Sequence, residues 1–128
     1  MEKNITFKFT EKNFTNPNQM QALTLAYIGD SIYDIMSREY VMKNHLGKIN
    51  NLHKTVSTIV SARAQASFME NILNNGILTE QEEKIYNRAK NQKNNSKAKN
   101  ASIMEYKLAT GLEAVFGYLY LEKNFERL

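Results

Sequence analysis

The sequence predicts an all-α fold, a single-domain helical bundle that spans residues 1–128. Apolar residues recur at three- and four-residue spacings through most of the chain, which is the periodicity of helices packed on one face. Capping patterns precede those runs, and no stretch alternates apolar and polar residues as a strand would. A hydrophobic content of 42% and a charged content of 23% are ordinary for a globular domain.

The first two helices are predicted from their starts and stops. Asn16 and Pro17 suit an N-cap and a first helical turn, and the apolar pattern continues to about residue 44. A second periodic stretch runs from Leu52 to Leu73 and stops at Asn74-Asn75-Gly76. Residues 1–15 are polar and mixed, and we expect them to form an arm that docks on the domain.

Two further helices are predicted from capping boxes. Thr79-Glu80-Gln81-Glu82 places a threonine cap three residues before a glutamate, and a shorter helix should follow. Ser102-Ile103-Met104-Glu105 repeats the pattern and opens the last helix. The bundle is therefore expected to have four helices.

Cysteine usage and hydropathy exclude several classes of protein. The chain has no cysteine, which excludes disulfides and thiolate metal sites and suits a reducing cytoplasm. The N-terminus is too polar for a signal peptide, and no apolar run approaches membrane length. We therefore expect a cytoplasmic protein without a membrane partner.

A basic segment separates the third and fourth predicted helices. Residues 87–100 read NRAKNQKNNSKAKN, carry no acid and contain no large apolar side chain, which predicts a mobile loop. Most such segments are only solvated connections. The functional alternative is a clamp on a nucleic-acid backbone, because clustered cations without acidic neighbours favour phosphate contact. No aromatic residue interleaves for base stacking, so a duplex is favoured over a single strand.

Two acids stand in apolar surroundings. Asp30 follows Gly29 in LAYIGDSIY, and Glu113 precedes Gly117 in LEAVFGYLY. A carboxylate in such a place must be paired, protonated or bound to metal. The nearby glycines suggest close approach of another helix or of a ligand. Two such acids on different helices can converge on Mg²⁺. The alternative is a buried carboxylate that is hydrogen-bonded to a tyrosine, a lysine or the backbone.

These segments carry a family resemblance. Residues 27–33, YIGDSIY, resemble the signature helix of the ribonuclease III catalytic domain, and residues 109–119, ATGLEAVFGYL, resemble its second catalytic motif. The match is closest to the mini-ribonuclease III subfamily, which consists of that domain alone. Residues 52–66 resemble the subfamily's second block, and residues 88–100 its basic loop. The resemblance covers residues 17–123 in the right order and spacing.

The resemblance implies an Mg²⁺-dependent endoribonuclease that hydrolyses phosphodiesters in double-stranded RNA as a homodimer. Asp30 and Glu113 are the implied catalytic residues and metal ligands. The charge of the basic segment and its resemblance to the subfamily's loop together give the expected RNA-binding residues, which are Arg88, Lys90, Asn91, Lys93, Lys97, Lys99 and Asn100. For this subfamily it implies maturation of the ends of large-subunit (23S) ribosomal RNA precursors, and it leaves open whether a ribosomal protein assists. With no room for a double-stranded-RNA-binding domain before the end at Leu128, the basic loop should supply much of the grip.

Departures from the larger family leave the number of metal ions open. Ala26 and Thr110 stand where that family has a glutamate and an aspartate, although the subfamily also has threonine at the second position. Asp34, one turn beyond Asp30, is expected to form a surface pair. The alternative function is a catalytically silent dimeric helical protein that binds structured RNA, and retention of Asp30 and Glu113 favours the enzyme. The aromatic residues, Tyr27, Tyr33, Tyr40, Phe116, Tyr118 and Tyr120 among them, either fill the core or supply the dimer interface.

Overall fold

The structure, a computed structural model, describes residues 16–44, 49–92 and 103–128. Within these ranges a 3₁₀ turn is followed by α-helices, namely Pro17–Gln19, then α1 (Ala22–Asn44), α2 (Ile49–Ile59), α3 (Ala62–Asn74), α4 (Glu80–Lys90) and α5 (Ile103–Leu121). None of the described residues lies in a strand, so the predicted all-α fold is confirmed. None of these helices is long and apolar enough to cross a membrane. The predicted N-terminal arm, residues 1–15, lies outside the described residues.

The last helix, α5, is the centre of the bundle and packs against α1, α3 and α4. Its side chains are buried around most of the helix circumference, as in Leu112, Ala114 and Leu119. A helix that is apolar on all sides belongs in a core rather than at a surface. Residues on the three surrounding helices, such as Leu25, Met69 and Ile85, complete this core.

The chain does not enter α1 as one continuous helix from Pro17, and that prediction was wrong. Asn16 does cap the turn at Pro17–Gln19, because its side chain accepts a hydrogen bond from the Asn18 N–H at 3.0 Å. Met20 then adopts an extended conformation before α1 begins at Ala22. The Arg88 guanidinium stabilises this break by donating to the carbonyl oxygens of Asn18 and Met20, at 3.1 and 2.9 Å.

The stretch predicted as one helix from Leu52 to Leu73 is also broken. Residues Val60 and Ser61 separate α2 from α3, and Ser61 is extended with a ψ of 152°. Its hydroxyl accepts a hydrogen bond from the Ala64 N–H at 3.2 Å, so it is the N-cap of α3. The apolar periodicity continues through the break and therefore conceals it.

Both capping features predicted around α4 are confirmed. The Glu82 N–H donates to the Thr79 hydroxyl at 3.2 Å, and the Thr79 N–H donates to the Glu82 carboxylate at 3.0 Å. Gly76, after the end of α3, has a φ of +61°, the left-handed conformation that glycine adopts most readily.

The basic loop begins later than predicted, because residues 87–90 form the last turn of α4. Ala89 is buried in the core there, and the Lys90 ammonium lies 5.8 Å from the centre of the Tyr86 ring. Lys90 also suits the negative end of the helix dipole. The remainder of the predicted loop from residue 93 onward lies outside the described residues.

The C-terminal turn is fixed to the start of α4 by an ion pair. The Arg127 guanidinium donates to both oxygens of the buried Glu82 carboxylate and to the carbonyl oxygen of Ile77. Burial opposes ionisation of Glu82, but hydrogen bonds from Arg127 and Thr79 outweigh it and lower the pKa of Glu82 below its ordinary value. Glu82 therefore completes the capping box of α4 and also anchors the C-terminal turn through Arg127.

Candidate active site

Helices α1 and α5 cross in direct backbone contact, through one glycine from each. A Cβ atom on Gly29 would lie 2.6 Å from the carbonyl carbon of Glu113 and closer still to its oxygen. A Cβ atom on Gly117 would lie 2.9 Å from the carbonyl carbon of Leu25, again closer to the oxygen. The two contacts are one helical turn apart, so each glycine accommodates a carbonyl of the other helix. The predicted close approach of another helix is thus confirmed.

This crossing brings the two predicted acids together. Asp30 follows Gly29 on α1, and its side chain hydrogen-bonds with that of Glu113 on α5. Burial, together with the hydrogen bond and the negative charge of Asp30, raises the pKa of Glu113 to about 8. The pair therefore retains a proton at neutral pH unless a cation replaces it.

The surroundings of the pair suit a divalent cation. Within the described part of the chain, no lysine or arginine forms an ion pair with Asp30 or Glu113. Among the same residues no group of three or more histidines, cysteines or acids could hold a metal ion. Two carboxylates without a counter-charge among the described residues match Mg²⁺, which takes one or two carboxylates and fills its remaining positions with water or substrate phosphate oxygens.

A glutamine that the sequence reading did not single out completes the site. Gln65 on α3 is only 3% exposed, and its side chain hydrogen-bonds with Glu113, which lowers the pKa of that acid in opposition to Asp30. Its signal in the sequence was a polar residue on the buried face of α3, directly before the buried Ala66. The Tyr33 ring packs against the Phe116 ring with their centroids 5.4 Å apart, and its hydroxyl donates to the Ile59 carbonyl oxygen at 3.2 Å.

At the two positions where the larger family has further acids, this chain has a buried alanine and a threonine that hydrogen-bonds within its own helix. Ala26 is buried, and the Thr110 hydroxyl donates to the Tyr106 carbonyl oxygen of its own helix at 2.9 Å. Asp34 pairs with Arg38 at 3.1 Å on the surface of α1, as predicted. Among the described residues, Asp30 and Glu113 are therefore the acids that meet at the helix crossing.

The predicted RNA-binding residues divide into two groups. Arg88, Lys90 and Asn91 lie at the end of α4, and Arg88 and Asn91 line a groove of about 500 Å³ beside the Pro17–Gln19 turn. The Arg88 guanidinium also donates to two backbone carbonyl oxygens, and this structural role was not predicted from the sequence. The other predicted residues, Lys93, Lys97, Lys99 and Asn100, lie outside the described residues.

Comparisons with known proteins agree with the helical bundle. The model of the ribonuclease III domain family matches residues 23–124, which include both acids. The chain therefore belongs to the ribonuclease III domain family, a family of endoribonucleases for double-stranded RNA.

Its relatives within that family are mini-ribonucleases. The chain is 46% identical to mini-ribonuclease 3 of Enterococcus faecalis over 110 residues, 86% of this chain and 83% of that protein. It is also 46% identical to mini-ribonuclease 3 of Clostridium tetani over 123 residues, 94% and 80% of the two chains. The crystal structure of a Fusobacterium nucleatum protein matches with a TM-score of 0.75 and 34% identity over 88% of each chain. The resemblance to mini-ribonuclease III and the predicted fold are both confirmed.

Proposed function

We propose that this chain is an Mg²⁺-dependent endoribonuclease that cuts double-stranded RNA as a homodimer, with Asp30 and Glu113 at its active centre. The observation that carries the proposal is the contact between these two carboxylates at the crossing of α1 and α5, where no described cation neutralises them. A divalent ion would relieve their repulsion and displace the proton that Glu113 otherwise keeps.

The chain's own residues have separate tasks in this reaction. Asp30, the exposed member of the pair, faces solvent and is the ligand that can also meet a phosphate-bound ion. Glu113, partly buried beneath it, would hold the same ion from the opposite helix. A bound Mg²⁺ would supply two things: it would lower the pKa of a water so that its deprotonated form is available to attack phosphorus near neutral pH, and it would neutralise charge on the phosphate. The tight helix crossing keeps both carboxylates in place, because their helices are in backbone contact.

We propose that RNA binds at the end of α4 and along the residues that follow it. Lys90 and Asn91, together with the free edge of Arg88, suit contacts to a phosphate backbone beside the groove at the Pro17–Gln19 turn. Lys93, Lys97, Lys99 and Asn100 extend the same basic segment in the sequence. Contacts of this type read the shape of a duplex more than its base sequence.

Exposed apolar side chains on α1 support the homodimer. Tyr27 is 82% exposed, and Ile35 and Met42 lie on the same face of the helix with more than half of their surface exposed. The sequence-based alternative, that aromatic residues fill the core, holds instead for Tyr33 and Tyr118. We expect a species of twice 14.8 kDa in sedimentation velocity, and a monomer for Tyr27→Glu.

The natural substrate is proposed to be the precursor of large-subunit ribosomal RNA. The similarity of both catalytic motifs to those of mini-ribonuclease III supports this proposal. A processing stem of such a precursor is a duplex whose two strands must both be cut, which a two-fold dimer with one active site per subunit is suited to do.

The deciding experiment compares two aspartates one helical turn apart. End-labelled double-stranded RNA is incubated with the wild type, Asp30→Asn and Asp34→Asn, in Mg²⁺ and in EDTA. We expect Mg²⁺-dependent cutting by the wild type and by Asp34→Asn, because Asp34 is paired with Arg38 on the surface. Asp30→Asn should bind RNA as tightly as the wild type and cut at least about a hundredfold more slowly.

Other outcomes lead to different conclusions. If a generic RNA duplex is not cleaved but a ribosomal precursor stem is, the proposed chemistry holds and the enzyme is specific for features of that stem. If RNA binds and is never cut with any divalent ion, the silent RNA-binding alternative replaces the enzyme, and the absent acids at Ala26 and Thr110 become the reason.

A further inference from the structure

The side-chain amide of Gln65 connects the break between α2 and α3 to the candidate metal site. Its Nε2 donates to the Val60 carbonyl oxygen at 3.0 Å. The same side chain also interacts with the Glu113 carboxylate and lowers its pKa, as an amide N–H directed at an ionised acid does. An amide nitrogen carries two protons and can serve both groups.

The other end of the amide has no hydrogen-bond partner among the residues that the structure describes. Oε1 of Gln65 is buried and accepts no hydrogen bond from the described residues. A buried acceptor without a donor is unfavourable, and native structures contain few of them. Here the orphaned oxygen belongs to a side chain that also touches a carboxylate proposed to bind a metal ion.

An apolar residue would be expected at position 65 if packing alone decided. Its neighbours on the inner face of α3 are Ala66, Met69 and Ile72, which are all buried. Glutamine has about the length of methionine but carries a polar oxygen and a polar nitrogen, and the oxygen accepts no hydrogen bond within the described part of the chain. We therefore look to the candidate metal site for the role of the Gln65 amide.

We propose that Gln65 is a positioning residue of the metal site, with Nε2 orienting the Glu113 carboxylate and Oε1 accepting a hydrogen bond from a water bound to the ion. This inference rests on the proposed Mg²⁺ site at Asp30 and Glu113. Partners of this kind fix the orientation of a ligand and raise the affinity for the metal without touching it.

The test measures metal binding directly, with Mn²⁺ as the probe and the loss of its free-ion electron paramagnetic resonance signal as the readout. Gln65→Met keeps the length of the side chain and removes both polar ends. Gln81→Met is the control, because Gln81 is a partly buried glutamine whose side chain bonds to Asn18 away from the site. Asp30→Asn reports on the site itself.

We expect Gln65→Met to bind Mn²⁺ about tenfold more weakly or worse, and Gln81→Met to bind it as the wild type does. In RNA cleavage, Gln65→Met should need about ten times more Mg²⁺ for half-maximal rate and recover most of its activity at saturation. A residue that only ties α3 to Val60 would lower the melting temperature without moving either metal dependence.

Two results would overturn the inference, and they are distinguishable. If Asp30→Asn abolishes Mn²⁺ binding while Gln65→Met binds within twofold of the wild type, Gln65 has no positioning role and the proposed function stands. If Asp30→Asn leaves Mn²⁺ binding intact, the proposed metal site fails and the inference fails with it. Should Gln65→Met not fold, Gln65→Asn replaces it, because its shorter amide cannot span Val60 and Glu113 together and the same loss is expected.

Discussion

Gly29 lies against the main-chain carbonyl of Glu113, with no space for a side chain between the two helices. The next residue along α1 is Asp30, whose carboxylate meets that of Glu113. Backbone contact therefore fixes the carboxylate pair, and the flexible ends of the side chains only complete it. This relationship makes the stability of the fold and the geometry of the site depend on one glycine.

Gly29→Ala should destabilise the protein despite the better helix propensity of alanine. Propensity favours alanine by about 1 kcal/mol. The added methyl group would overlap the Glu113 carbonyl, and backbone atoms cannot move aside without separating α1 from α5. We expect a net loss of about 3 kcal/mol or more in the free energy of unfolding, measured by urea denaturation.

Ser31→Ala is the control for Gly29→Ala, since Ser31 is exposed on the same helix. It should change the free energy of unfolding by less than about 0.5 kcal/mol. A Gly29→Ala protein as stable as the wild type would mean that α1 and α5 are not in backbone contact at this point.

The raised pKa of Glu113 predicts a pH-dependent stability of the metal-free protein. The folded state holds a proton on Glu113 up to about pH 8, whereas the unfolded chain releases it near 4.5. Stability contributed by this group is therefore complete below pH 4.5 and is lost as the pH rises towards 8. Glu113→Gln removes that loss and should stabilise the protein in EDTA by about 2 kcal/mol at about pH 9.

The same substitution should have little effect near the acid end of that window, where the glutamate is protonated in both states. Denaturant unfolding at the two pH values, each in EDTA, measures the difference. If Glu113→Gln destabilises the protein equally at both, the carboxylate is not under strain from burial and Asp30.

Arg127→Gln should destabilise the protein most at neutral pH. It removes the partner of the buried Glu82 carboxylate, which costs about 3 kcal/mol when a buried pair is broken. Because the pKa of Glu82 is lowered in the folded state, its contribution is present above the ordinary value of 4.5 and disappears as the pH falls through the folded pKa. The cost of the substitution should therefore shrink in acid.

Arg38→Gln is the matched control for Arg127→Gln, because its partner Asp34 is exposed. Its cost should stay below about 1 kcal/mol at any pH. Equal costs for the two arginines in urea denaturation at neutral pH would contradict the buried character of the Glu82 pair.

Arg88→Lys should separate a structural role from an RNA-binding role. Lysine keeps the charge but lacks the planar fork that reaches the carbonyls of Asn18 and Met20 at once. We expect a loss of about 1 kcal/mol in the free energy of unfolding and faster hydrogen exchange around the Pro17–Gln19 turn. Arg63→Lys, whose ion pair with Glu105 is on the surface, should show neither effect. A stable Arg88→Lys with weakened RNA binding would assign Arg88 to RNA alone.

The fold class and the cap at the start of α4 could be predicted from the sequence. Apolar periodicity identifies the buried faces, and the box at Thr79 and Glu82 forms as its spacing predicts. The break at Ser61 escaped prediction because the periodicity continues across it, although a serine at that place is a cap signal. The break before Ala22 could not be foreseen, since it depends on Arg88 far along the chain.

The two acids of the candidate site could be predicted from the sequence, but Gln65, which contacts one of them, could not. Asp30 and Glu113 stand out because each is a charge among apolar neighbours with a glycine close by. Gln65 belongs to neither motif, and its contact with Glu113 arises only when α3 packs on α5. Periodicity within one helix carries no information on which residue of another helix it will meet.

The crossing at Gly29 also sets the order in which this protein acquires its chemistry. The ribosome makes α1 early and α5 last among the described helices, so a nascent chain exposes Asp30 long before Glu113 exists. Until α5 leaves the exit tunnel and packs against α1, half of the proposed metal site is missing, and the aspartate alone would hold an ion poorly. On the proposed function, the chain would therefore gain nuclease activity only when the last helix completes the bundle.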